Sequence, residues 1–241
     1  MTLLTSEVPV AKQVAFQTIE DLGLVEELGE LTGLQIYCLS SWPIKRVFWL
    51  RLRIIFFFIG RLCRPTHRVL DFGGGNGVLL PNLGRYFERV VSIDRNQSEA
   101  QTVCRVAHLQ NIELIEADIL THEFTQPFDM IIAADVLEHF RNLREPVDRL
   151  KLWVRPNSGV LLTSLPTENY VYSVLRRVFL MTKPADHYHT ASEVEDYLRS
   201  QGFVRQISVT VPFILPNFPL FLVSVWRFPR EGDCVAGRIR H

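Results

Sequence analysis

A run of glycines at alternate positions, set directly behind a short apolar stretch, constrains this chain more than any other feature. His67-Arg68-Val69-Leu70-Asp71-Phe72 leads into Gly73-Gly74-Gly75-Asn76-Gly77, and Val78-Leu79-Leu80 then opens a helix-like segment. A strand feeding a glycine turn and then a helix is how α/β proteins bring backbone close to a nucleotide-like ligand. Residues without Cβ atoms permit both the close approach and the positive φ that such a turn needs. The spacing is not the Gly-x-Gly-x-x-Gly of dinucleotide sites. Counted from Gly73 the third glycine falls on Val78, and counted from Gly75 it falls on Leu80. Neither register suits a pyrophosphate, which disfavours an NAD-dependent oxidoreductase.

Behind this turn the chain keeps a regular rhythm. Apolar runs at 67–72, 89–93, 112–116, 128–134 and 159–165 alternate with helix-like segments near 76–87, 97–109 and 143–154. That alternation predicts a parallel sheet covered by helices on both faces. Val90-Val91-Ser92-Ile93 and Met130-Ile131-Ile132-Ala133 are almost continuously apolar, as strands buried on both faces are. The rhythm changes over residues 166–190, read as an insertion with a helix around 169–181. Thr190 with Glu193 three residues on signals a capping box, and Gly202 a helix stop. Strands at 207–211, half-exposed, and 221–226 follow, joined by a return through Pro212 to Pro219. The fold class expected is a Rossmann-like doubly wound sheet, mostly parallel with an antiparallel last strand, plus an N-terminal helical cap. Residues 1–66 form the cap, 67–228 the main domain and 229–241 a polar tail.

Composition narrows the partners. The 26 basic and 26 acidic residues cancel, so no global field draws in nucleic acid. Cys38, Cys63, Cys104 and Cys234 are scattered, which argues for reduced thiols rather than disulfides or a zinc cluster. The start Met1-Thr2-Leu3-Leu4-Thr5-Ser6-Glu7 lacks a secretory pattern, and a cytoplasmic location is expected. Val47 to Ile59 is strongly apolar but interrupted by Arg51 and Arg53, too short and too charged for a span of about 20 residues. It reads as a buried helix. The alternative is a peripheral membrane contact through residues 45–60, with Lys45, Arg46, Arg51 and Arg53 at the interface or on a solvated face.

Ligands of open α/β sheets bind beyond the carboxyl ends of the strands. The second strand ends at Asp94, whose carboxylate can accept hydrogen bonds from both hydroxyls of a ribose. The third ends in Glu116-Ala117-Asp118-Ile119, and the fourth runs Phe128-Asp129-Met130-Ile131-Ile132-Ala133-Ala134-Asp135-Val136-Leu137-Glu138-His139. Val154-Arg155-Pro156-Asn157-Ser158-Gly159 precedes the fifth. The turn Asp-x-Gly-x-Gly-x-Gly, Asp94, Asp118 and the Asp-x-Leu-Glu-His run together resemble the class I methyltransferases that use S-adenosylmethionine, in their small-molecule form. The resemblance covers residues 67–165, with Asn157-Ser158 in place of one glycine of the family's Leu-Arg-Pro-Gly-Gly turn. It implies S-adenosyl-L-methionine as cofactor. Asp71, Gly73, Gly75, Asn76 and Gly77 would surround its methionine portion and Asp94 with Arg95 its ribose. Asp118 with Ile119 would meet the adenine, and Asp135 with Val136 would lie beside the fourth strand's end.

Methyl transfer from a sulfonium is an in-line displacement, so the protein mainly supplies proximity and alignment. A base is needed only where the nucleophile must lose a proton. His139 is the first candidate because imidazole titrates near neutrality, with His187 and His189 of Asp186-His187-Tyr188-His189 behind it. A His-x-His pair also suggests a metal, but one pair without a clear third ligand is weak evidence, and no metal site is expected. There is no Asn/Asp-Pro-Pro-Tyr after the fourth strand and no Pro-Cys nucleophile, so nucleobase methylation is disfavoured. The acceptor expected is a small molecule, with an apolar or lipid-like part suggested by the helix at 47–59 and by Val171, Val174, Leu175, Val178, Phe179 and Leu180. A non-catalytic cofactor-binding subunit is the alternative, because binding motifs do not report turnover.

Overall fold

In the computed structural model, residues 8–24, 33–167, 187–212 and 219–229 are described. Among the described residues three helices come first: α1 (Val8–Asp21), α2 (Gly33–Leu39) and α3 (Trp42–Leu62). Strands and helices then alternate: β1 (Val69–Phe72), α4 (Leu80–Tyr86), β2 (Val90–Asp94), α5 (Ser98–Val106) and β3 (Ile112–Glu116). β4 (Met130–Ala134), α6 (Arg144–Trp153), β5 (Val160–Pro166), α7 (Ala191–Ser200), β6 (Val204–Val211) and β7 (Phe221–Arg227) complete the order. The expected insertion helix at 169–181 lies outside the described residues, as do residues 25–32 and most of the return between Pro212 and Pro219.

The sheet has seven strands in the order β3-β2-β1-β4-β5-β7-β6. All neighbours are parallel except β7, which runs against both β5 and β6. The sequence order reverses between β1 and β4, so the crevice for a ligand opens where Phe72 and Ala134 hand over to their loops. β6 is the edge strand, as expected for 207–211, but it begins at Val204 and its burial rises toward Val211 instead of alternating, which leaves Val204 and Ile207 exposed.

Side-chain alternation explains the continuous apolar runs. Val69, Val90, Met130, Ile132, Val160 and Leu162 face one core, while Leu70, Val91, Ile131, Ala133 and Leu161 face the other. Helices α6 and α7 cover the second face through Val147, Leu150, Trp153, Val194 and Leu198. The first face is covered by α4 and α5 and by the N-terminal helices, with Leu52, Ile55, Phe56 and Ile59 of α3 fully buried. The N-terminal segment therefore does more than cap the ligand edge. α3 is one of the layers of the doubly wound fold, because the sheet face over β5 and β7 needs an apolar partner and the chain supplies it from in front of β1.

Local chemistry sets the boundaries. The helix expected from residue 76 starts at Leu80, because Gly77 sits at φ 71° and the Asn76 side chain accepts from the Val78 N–H at 2.9 Å. The capping box at α7 forms as expected, with Thr190 and Glu193 exchanging side-chain and backbone hydrogen bonds. Burial pushes the thiols of Cys38 and Cys63 up to about 12, so neither is a nucleophile. Among the described residues no helix is long and apolar enough to cross a membrane.

If α3 is a structural layer, Phe56→Ala should cost about 3–5 kcal/mol and shift a single cooperative urea transition of the whole chain. A separate early transition, with the main midpoint unchanged, would contradict this.

Candidate active site at the switch point

The cavity at the switch point has a volume of about 750 Å³, within the range of small-molecule sites. It is lined by Asp71, Gly73, Gly74, Gly75 and Asn76 from the first loop and by Asp94, Arg95, Asp118 and Ile119 from the next two strand ends. Asp135, Val136 and His139 close it from the fourth. Ten of the eleven residues read as cofactor contacts thus meet at one opening. Gly77 does not: a Cβ there would come within 2.8 Å of the Ala100 Cα, so this glycine serves helix packing.

The glycine turn is held from behind by the Ile93 carbonyl, which accepts from the Gly73 N–H at 2.9 Å. Gly73 stands at φ 73°, and a Cβ there would lie 2.2 Å from Val136 Cγ2. Gly75, also at positive φ, would meet nothing closer than Asp94 Oδ2 at 3.7 Å, so its open side faces the cavity. Asp94 is fixed by two backbone donors, Gly75 N at 3.0 Å to Oδ2 and Asn96 N at 3.1 Å to Oδ1. Each oxygen keeps a lone pair for a ligand hydroxyl. Asp118 accepts from the Leu120 N–H at 2.9 Å and from Arg95 Nη2 at 2.8 Å. Those contacts, the backbone N–H first, hold its carboxyl below the usual range, so it accepts and does not donate.

Asp71 differs. It is 2% exposed, its Oδ2 has no hydrogen-bond partner among the described residues, and burial, with Asp94 adding to it, pushes its pKa up to about 7. An orphaned carboxylate oxygen at the wall of the cavity suits an ammonium group of a bound ligand.

The N-terminal helices bring residues that the sequence reading did not assign to the site. Arg51, read there as interfacial or solvated, is 2% exposed and points into the cavity. Its guanidinium pairs with Asp135 and donates to the Tyr37 hydroxyl. The aromatic rings of Phe221 and Phe48 lie 4.5 and 5.2 Å from it. The signal was a charge inside an apolar helical run, whose meaning depends on which helix face is buried. Asp135 itself sits at φ 52°, its N–H bonded to the Ser164 carbonyl at 2.8 Å, and its buried Oδ1 has no hydrogen-bond partner among the described residues.

The histidines separate. His139 ends the 3₁₀ turn Leu137–His139 and lines the cavity. His187 packs edge-on against it, ring centroids 4.6 Å apart. Neither His187 nor His189 is among the residues lining the cavity. Between them Tyr188, also unassigned from sequence, lines the opening and takes a 3.1 Å hydrogen bond from Arg141 Nε. The Tyr188 N–H donates to the Glu138 carbonyl at 2.9 Å, which docks residues 187–189 on the loop after β4.

Comparison with known proteins agrees with this geometry. The family described as methyltransferase domain matches residues 47–205. The mitochondrial ubiquinone biosynthesis O-methyltransferase of Schizosaccharomyces pombe is 26% identical over 160 residues, 61% of this chain and 58% of that protein. The (S)-coclaurine N-methyltransferase of Thalictrum flavum subsp. glaucum is 25% identical over 114 residues, 45% of this chain and 32% of that protein. The chain thus spans between about a third and three fifths of the length of these relatives. The N-methyltransferase NodS of Bradyrhizobium japonicum WM9, in complex with S-adenosyl-L-homocysteine, has the same fold. Its TM-score is 0.61 at 18% identity, over 89% of this chain and 98% of that one. The magnesium protoporphyrin IX methyltransferase of Synechocystis PCC 6803 also reaches 0.61, at 14% identity, over 92% and 99% of the two chains.

The raised pKa of Asp71 has a consequence for stability. The unfolded carboxyl ionises near pH 4 and the folded one near 7, so the folded chain holds the extra proton between these values. Stability should therefore fall as pH rises through that window and level off above it. Asp71→Asn should remove this slope and gain roughly 2–4 kcal/mol on the unliganded protein at pH 8 relative to pH 5, read from urea midpoints.

Proposed function

Since the chain belongs to the class I S-adenosylmethionine-dependent methyltransferases, we propose that it transfers the cofactor's methyl group to a small molecule with an apolar or lipid-like part. The observation that carries the reading is the gathering of the glycine turn, Asp71, Asp94, Asp118 and Asp135 around one cavity at the switch point. S-adenosylmethionine supplies a methyl group already activated on a sulfonium, so the protein's task is to align it with the acceptor. Asp94 accepts from the ribose hydroxyls, with Arg95 beside it, and Asp118 accepts from the adenine amino group over Ile119. Gly73, Gly75 and Asn76 wrap the methionine portion. Asp71 and the free oxygen of Asp135 accept from its ammonium, while Val136 closes the wall behind. His139 stands at the acceptor end, where it can take a proton from a hydroxyl.

The fit is testable without knowing the acceptor. S-adenosylhomocysteine should bind in calorimetry while NAD does not. Asp94→Asn should weaken it about ten- to hundred-fold, since a hydrogen bond to a charged group contributes about 1.5–3 kcal/mol. Unchanged affinity in the variant, or preference for NAD, would overturn the assignment. Tight binding with no turnover across phenols, amines and lipid-like acceptors would favour a non-catalytic subunit instead.

The lipid-like acceptor and peripheral membrane contact through residues 45–60, from the cytoplasmic side, are supported by the outer side of α3. Trp42, Arg46, Arg53, Phe57 and Arg61 project there at helical spacing, with Trp42 66% and Phe57 43% exposed. The purified protein should co-sediment with anionic vesicles, and Trp42→Ala/Phe57→Ala should release it. Equal sedimentation of the variant would count against the contact.

A further inference from the structure

We propose that Glu138, His139 and His187 form a binding site for a divalent transition-metal cation at the acceptor end of the cavity. One ligand atom from each of the three side chains lies within 4.8 Å of the others. The sequence reading weighed His187 with His189; the fold instead sets His187 against the adjacent pair Glu138 and His139, and His189 is outside the cluster. Donors about 2.0–2.2 Å from a common ion stand roughly 3.0–3.6 Å apart in tetrahedral or octahedral geometry, so a pair at the 4.8 Å limit has to close by about an ångström.

The scaffold behind the donors is built to hold them. Glu138 and His139 are adjacent on the 3₁₀ turn that follows β4, and Glu138 is 1% exposed. His187 is held over the turn by the 2.9 Å bond from the Tyr188 N–H to the Glu138 carbonyl. The capping box at Thr190 fixes the chain on the other side. The imidazole rings of His139 and His187 stand nearly perpendicular, at 82°.

One carboxylate and two imidazoles form a borderline donor set that suits Mn²⁺, Fe²⁺, Co²⁺ or Zn²⁺ better than Mg²⁺, and three protein ligands leave coordination positions open. Of the three donors His139 is the one among the residues lining the cavity, so a cation held by the cluster would stand beside that ring at the cavity wall. There a cation would lower the pKa of an acceptor hydroxyl, so the site favours an oxygen acceptor over an amine. The hydroxyl O–H bond breaks and its proton passes to water. An oxygen lone pair forms the new bond to the methyl carbon, and the carbon–sulfur bond breaks with its electron pair going to sulfur. His139 is then a ligand, not the base. This role rests on the methyl-transfer reading, whereas cation binding itself does not.

The test is Co²⁺ titration of chelator-stripped full-length protein, followed by visible absorption and calorimetry, with S-adenosylhomocysteine binding measured in parallel. One equivalent of Co²⁺ should bind. Glu138→Gln and His187→Ala should each weaken it at least tenfold, with S-adenosylhomocysteine affinity held within about twofold. His189→Ala, outside the cluster, should bind Co²⁺ as the wild type does. A folded protein that binds no Co²⁺, or binds it equally well in the Glu138 and His187 variants, overturns the site. Co²⁺ binding as expected without S-adenosylhomocysteine binding upholds the site and overturns its part in methyl transfer.

Discussion

The ion pair between Arg51 and Asp135 ties the two ends of this architecture together. One partner comes from a helix that precedes the sheet, the other from the loop after β4. A guanidinium that is 2% exposed is tolerable only with its charge answered and its donors used. Asp135, Tyr37 and the faces of Phe48 and Phe221 meet that demand together. Removing Asp135 should cost about 3–5 kcal/mol, because the guanidinium is left charged and dry, whereas the Asp135 side chain is 30% exposed and retains some solvent. The pair also orients Asp135, whose backbone already sits at an unusual φ of 52°. The pair therefore couples α3, which its apolar face seats against the sheet, to the shape of the ligand opening.

Much of the sheet is legible in the sequence because it depends on local pattern. The run Met130-Ile131-Ile132-Ala133 reads as a doubly buried strand because both faces are covered, and the two cores receive its side chains alternately. The glycine turn reads as a ligand loop because positive φ and close approach exclude most other residues. Asp94 and Asp118 follow from their positions at strand ends. What is not legible depends on which segments meet in space. Arg51 looked like a surface charge because helical periodicity alone does not say which face finds the sheet. Glu138 looked like one residue of a familiar run until residues 187–189 came down beside it. Gly77 looked like part of the cradle, yet its neighbour is a helix backbone.

The apolar character of α3 is divided unequally between its sides. Leu52, Ile55, Phe56 and Ile59 lie in the core, while Trp42 and Phe57 stay outside among arginines. Residues 47–59 therefore gave a mixed signal in sequence, because one helix serves a core, a cavity and a surface. Arg51 and Arg53, two positions apart, point into the cavity and into solvent respectively.

The fit between Gly73 and Val136 has a further consequence. A single added carbon at Gly73 would sit 2.2 Å from the valine's methyl, so the loops after β1 and β4 mesh with no clearance. Two surfaces in such contact have no freedom to slide past one another, and displacement of either is transmitted directly. The loops after β1 and β4 are thus one mechanical body at this point. Any change that enlarges residue 136 will be felt at the glycine turn. New acceptors are therefore more easily accommodated by changes in the segments that lie further out over the opening.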